Sequence, residues 1–245
     1  MTLSAALFSK NILRLLNTIG GTIPFSILEW GLAVLLALIL LRPRRLRNLC
    51  ALILAMLLAF LLLWLPLYAE PVDIPAASDA QMHMLCANLI DDLNVSALSF
   101  DVPPDALPAK QCAFPFWMRA LNLDGFYSFF TGEALIAPDL PPESAPFTAV
   151  HEVMHGRGIA HEGLCNAAAY AECRLRGGAY ADSANLCALR YAMGSVKRAD
   201  VEAYHLLLNR MRPETLRAYR AVGGTVSAQN DYAILAEILA AEISL

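Results

Sequence analysis

Charged residues are scarce in this sequence. They make up 16% of it, against about 25% in an ordinary soluble domain, and 58% of the 245 residues are hydrophobic, against about 45–50%. The shortage has a location. Ile23 to Leu41 reads IPFSILEWGLAVLLALILL, and Leu46 to Tyr68 reads LRNLCALILAMLLAFLLLWLPLY. Each holds an apolar run of roughly 17 to 20 residues, enough to cross ~30 Å of hydrocarbon as a helix. Two buried core helices would need a larger surrounding protein than this chain supplies, so residues 23–68 are expected to form two transmembrane helices in a lipid bilayer.

Positive charge is scarcer still beyond residue 68. Residues 69–245 hold 12 Lys/Arg against 21 Asp/Glu, a net of −9. That balance excludes nucleic acid as a partner, because phosphate binding wants a basic face. The basic residues cluster instead at Arg42, Arg44, Arg45 and Arg47, in a loop spanning 42–48 between the apolar runs. Short basic loops stay cytoplasmic, which puts both outer ends, and the acidic domain 69–245, on the extracytoplasmic side. A cleavable signal peptide is not expected: the apolar run starts late, no small-residue site follows it, and a second run comes soon after. Segment 1–22, with Lys10 and Arg14 among regularly spaced Leu and Ile, reads as an interfacial amphipathic helix.

There is no internal repeat and no low-complexity tract. Six cysteines match no zinc-ribbon spacing, and five of them (Cys86, Cys112, Cys165, Cys173, Cys187) fall in the outer domain. Cys86–Cys112 and Cys173–Cys187 could pair in an oxidising exterior, and small buried thiols are the alternative. Residues 79–93 put Met82, Leu85, Cys86, Leu89, Ile90 and Leu93 on one helical face. Residues 102–115 read as loop, and 125–140 (GFYSFFTGEALIAPDL) as strand or extended chain. A helix with Ser144 or Thr148 as N-cap follows, and further helices are expected at 163–176, 183–196, 200–210 and 229–243.

Histidine is also rare, with five in the chain, yet three fall within eleven residues of HEVMHGRGIAHEG. On a helix His151 and His155 stand one turn apart on one face, so both imidazoles can reach one ion. Glu152 beside them can take a proton from metal-bound water, which is the arrangement of a zinc-dependent peptidase. Gly158 lets the helix end in a left-handed turn and brings the next residues back to the metal. Two third ligands compete there. HEVMHGRGIAH fits a metzincin pattern with His161 as ligand and Met193 as its Met-turn. HExxH followed by Glu162 and Asn166 resembles the gluzincin arrangement, with Asn166 bonding a ligand imidazole. The run NAAAYAECRLR is strongly helix-forming and leaves no room for a metzincin loop, so Glu162 is the favoured ligand and His161 the alternative.

TIPFSILEW, GFYSFFTGEA, PFTAVHEVMHGRGIAHEGLCNAAAYAEC and AYRAVGGTVSAQNDYAILAEILA together resemble a bacterial family catalogued as domain of unknown function 3810, over residues 20 to 245. The family's usual E-x-E-A-N keeps here only Glu162 and Asn166, with Leu164 and Cys165 between. The resemblance implies a mainly α (α+β) chain, a zincin-like domain with a short edge strand or small sheet, and a membrane-anchored zinc metallopeptidase in the bacterial cell membrane. By the same analogy Gly132, Glu133 and Ala134 would form the substrate-binding rim, and Tyr180 would stabilise the oxyanion, with Tyr191 and His205 as further choices. The expected substrate is a peptide or a membrane-proximal protein. The competing expectation is a membrane receptor or scaffold with a structural or degenerate zinc site.

Overall fold

A computed structural model of the chain describes residues 2–41, 46–68, 77–222 and 233–241. Most of the Arg-rich loop and of the linker after Tyr68 therefore lies outside the described residues. In chain order, helices α1 (Thr2–Thr22), α2 (Ile27–Leu41), α3 (Leu46–Leu63) and α4 (Leu65–Tyr68) come first. Helix α5 (Asp79–Val95), strand β1 (Lys110–Gln111), helix α6 (Phe116–Ala120) and strands β2 (Gly125–Ser128) and β3 (Glu133–Ile136) follow. The rest is helical: α7 (Ala145–Gly156), α8 (Glu162–Arg176), α9 (Gly178–Ala199), α10 (Val201–Arg210), α11 (Pro213–Val222) and α12 (Ala233–Ala241). The chain is thus mainly helical with one small sheet. It divides into two compact units: Met1–Pro71 with Leu107–Pro138 and Glu152–His161, and Val72–Ala106 with Asp139–His151 and Glu162–Leu245. The division runs through α7.

In the first unit the sheet order is β1-β3-β2, with β1 parallel and β2 antiparallel to β3. All four residues of β3 are buried. Two carboxylates fasten α2, Glu133 to the sheet and Glu29 to the segment that follows β1. Ile27 and Leu28 donate their amides to Glu133, each at 2.8 Å, so a strand side chain satisfies two of the donors that a helix N-terminus leaves open. Glu29, in the first turn of α2, accepts from the amides of Ala113 (2.7 Å) and Phe114 (2.9 Å) and from the indole N–H of Trp117 (3.1 Å).

That attachment changes the reading of the first apolar run. Pro24 and Ser26 break the helix, and α2 has 15 residues, about 22 Å, which alone falls short of ~30 Å of hydrocarbon. It is long enough only together with α1, from which it bends by 83°. Cys50–Tyr68 is long and apolar enough by itself, so one helix, or two if the bent pair counts, could span a membrane. Helix α1 buries Ala6, Ser9 and Leu13 while leaving Leu7, Phe8, Leu15 and Ile19 exposed.

In the second unit α9 is the central helix, with α5, α8, α10, α11 and α12 packed against it. It is buried from Ser183 through Leu189 and at Ala192, Met193 and Val196, which is why it lacks a clean amphipathic stripe. Helix α5 starts on a capping box, Ser78 with Gln81, and buries the six apolar residues its spacing marks. Helix α11 is not among the helices expected from the sequence. Pro213 opens it at a position where proline lacks only an amide no helix bond needs. All six cysteines are free thiols, and all but Cys50 are buried, so the disulfide expectation gives way to the buried-thiol one.

Candidate metal centre

Helix α7 presents His151, Glu152 and His155, all buried. Its first turn is anchored by the Phe147 amide, which donates to Ser183 Oγ at 3.1 Å. Its end follows from Gly158, whose φ of 90° is open to glycine at little cost. The Gly158 amide donates to the His155 carbonyl (2.9 Å) and the Ile159 amide to the Met154 carbonyl (3.4 Å), the two bonds of a Schellman turn. The turn brings the Ile159 carbonyl to His155 Nδ1, at 2.7 Å. A carbonyl only accepts, so Nδ1 carries the proton and the lone pair of the neutral imidazole is on Nε2.

After the turn, α8 begins at Glu162. Oε2 of Glu162 lies 3.1 Å from His151 Nε2. Two donors on one tetrahedral ion, with bonds of about 2.1 Å, stand about 3.4 Å apart, so this spacing suits a shared metal. One helical turn further, Cys165 donates its thiol to the His151 carbonyl at 3.1 Å. His151, His155 and Cys165 form a group that could hold a metal ion, with ligand atoms within 4.8 Å of one another. Asn166 is 1% exposed, and neither of its amide atoms has a hydrogen-bond partner among the described residues. Buried amides are rarely left so, and this one suits a site with an additional occupant. His161 sets its ring edge-on to Tyr68 at 5.2 Å, and its buried Nε2 likewise has no hydrogen-bond partner among the described residues.

Glu152 occupies a space that the sheet leaves for it. A Cβ on Gly125 would lie 2.7 Å from its Cγ and 2.8 Å from its Cδ, so only glycine in β2 lets the carboxylate sit there. His155 packs its ring 5.8 Å from that of Trp64, near the end of the apolar helix Cys50–Tyr68.

A family model described as "Protein of unknown function (DUF3810)" matches residues 86–234. The chain belongs to the DUF3810 family. The match starts beyond the apolar N-terminal helices, so the wider resemblance over 20 to 245 is established only for this DUF3810 region. No curated protein and no solved structure matches the chain.

Outside the centre, three sequence expectations meet a different geometry. Gly132, Glu133 and Ala134 were expected on an edge strand, but β3 is the central strand and is paired on both sides. Gly132 turns with φ 70°, its backbone against Leu16 and Asn17. Glu133, 1% exposed, is committed to Lys110 Nζ (2.7 Å) and to the α2 amides. Burial opposes its ionisation, yet these bonds hold its carboxyl below the usual range. The outer strands of the sheet are β1 and β2, and β2 is the one under Glu152. Tyr180 is likewise engaged, its hydroxyl donating to the Ala106 carbonyl (3.1 Å) and its ring under Arg176. Met193 is a fully buried core residue of α9.

Sequence reasoning passed over Cys165 as a ligand. Its position three residues after Glu162, on the same helical face, was the available signal. The other buried thiols carry no such placement. Burial pushes Cys86, Cys112 and Cys173 up to about 12, far from the thiolate that ligation needs.

Proposed function

We propose that this protein is a membrane-anchored zinc-dependent endopeptidase acting outside the cytoplasm on peptides or membrane-proximal proteins. The observation that carries the reading is the seat of Glu152. A carboxylate that only decorated a helix would not require a side-chain-free position in a neighbouring strand, and that strand is an outer strand of its sheet.

His151, His155 and Glu162 would hold the ion, with Ile159 fixing the tautomer of His155 and Asn166 within the same helix as Glu162. Zinc, when bound, lowers the pKa of its water and polarises a carbonyl. Glu152 accepts the proton released on attack and passes it to the leaving nitrogen. An extended substrate would add alongside β2, an outer strand, through main-chain hydrogen bonds, which replaces the β3 rim suggested by analogy. The packing of His155 on Trp64 supports a substrate near the bilayer surface, and Arg42, Arg44, Arg45 and Arg47 support an extracytoplasmic site.

Cys165 favours a second reading, a structural site closed by four protein ligands in a receptor or scaffold. The two are separated by assaying zinc-loaded, detergent-solubilised protein against a peptide library, with Glu152→Gln alongside. The peptidase reading requires cleavage by wild type, loss of it in Glu152→Gln, and equal zinc in both. Equal zinc with no cleavage by wild type would favour the closed site.

A further inference from the structure

Strand β2 also carries a side chain toward α7. Side chains alternate across a strand, so Tyr127 shares a face with Gly125, which underlies Glu152. The Tyr127 ring lies 6.5 Å from that of His155 and stacks on Trp64 at 5.9 Å. Its Cε2 approaches Gly156 so closely that a Cβ there would lie 3.0 Å away. The residue is 5% exposed, yet its hydroxyl has no hydrogen-bond partner among the described residues. A buried hydroxyl left unmatched is destabilising, and phenylalanine would give the same packing without that cost. The aromatic stack accounts for the ring and leaves the oxygen unaccounted for.

We propose that Tyr127 is a hydrogen-bond donor to the carbonyl-type oxygen of a ligand bound beside His155, in the peptidase reading the scissile carbonyl of a strand lying along β2. The inference rests on that reading for its substrate, and on the geometry of β2, α7 and Trp64 for its placement. A phenol is protonated at neutral pH, so Tyr127 is available as a donor. A donor fixed before the reaction gains strength as charge collects on the oxygen it faces. Tyr180, the analogous suggestion from sequence, has its hydroxyl bound to a carbonyl already.

The test is Tyr127→Phe in the full-length, zinc-loaded protein, read in three ways. Its Tm should equal or exceed that of wild type, because no internal bond is lost. Binding of acetohydroxamate, a small carbonyl-bearing zinc ligand, should weaken on the order of tenfold, the value of one hydrogen bond. Turnover of any cleaved peptide should fall about 100-fold in kcat with KM nearly unchanged. A lowered Tm would reveal a structural partner for the hydroxyl and overturn the proposal, as would unchanged hydroxamate affinity. Wild type that binds hydroxamate through Tyr127 but cleaves nothing would overturn the peptidase reading alone.

Discussion

The Nδ1 of His155 lies 2.7 Å from the carbonyl oxygen of Ile159, four residues along the same chain. That contact exists because the helix stops at Gly158 and the chain reverses at once. The glycine therefore does two things: it ends α7 and it sets which nitrogen of His155 faces a metal.

Gly158→Ala should then damage both. Its φ of 90° disfavours any side chain, and a Cβ would lie 2.6 Å from Lys10 Cγ. The expected loss of stability is about 1–2 kcal/mol. Zinc affinity, measured by chelator competition, should fall about 10- to 100-fold, as when the hydrogen-bond partner of a ligand histidine is lost.

Gly125→Ala separates chemistry from metal binding. The added methyl must displace the Glu152 carboxylate, while His151, His155 and Glu162 keep their places. Zinc per chain should match wild type, and peptide turnover should fall by at least about 100-fold. Loss of zinc together with activity would mean that Gly125 serves the fold rather than Glu152.

Acid should loosen the first unit through Glu133. Its folded-state ionisation is held below the ordinary carboxylate range, chiefly against burial, by Lys110, Thr131 and the amides of Leu28 and Ile27. A depressed carboxylate stabilises the fold above its unfolded-state pKa and loses that contribution as pH falls through the folded value. Thermal unfolding should therefore be flat near neutrality and drop only below the normal carboxylate range. Glu133→Gln should lower the neutral plateau by about 3 kcal/mol, the cost of breaking a buried pair, and flatten the acid limb.

The cysteines give a simpler check. Thiol titration in denaturant without reductant should count six per chain, including the residues once considered as disulfide pairs. Four thiols would show that Cys86–Cys112 or Cys173–Cys187 does form.

Much of the site was legible in the sequence because it is local. The i, i+4 histidines, the adjoining Glu152, the glycine stop and the restart at Glu162 all sit within a dozen residues, and each follows from helix geometry alone. The same holds for α5, whose buried residues are those its spacing marks. What escaped was set by contacts distant along the chain. The pairing of β1 with β3, from loop to hairpin, turned the expected edge strand into the central one and left Glu133 inside. Glu133 and Glu29 fasten the first turn of α2 to residues far along the chain, which no hydropathy pattern reveals. Cys165 and Tyr127 read as an ordinary small core residue and an ordinary strand aromatic until the fold set one against His151 and the other beside His155.

The most direct measurement is zinc per chain in purified wild type, Glu162→Ala and His161→Ala under identical conditions. The account predicts one zinc in wild type and in His161→Ala, and little or none in Glu162→Ala. Loss of zinc in His161→Ala with retention in Glu162→Ala, or a wild type without metal, would contradict it.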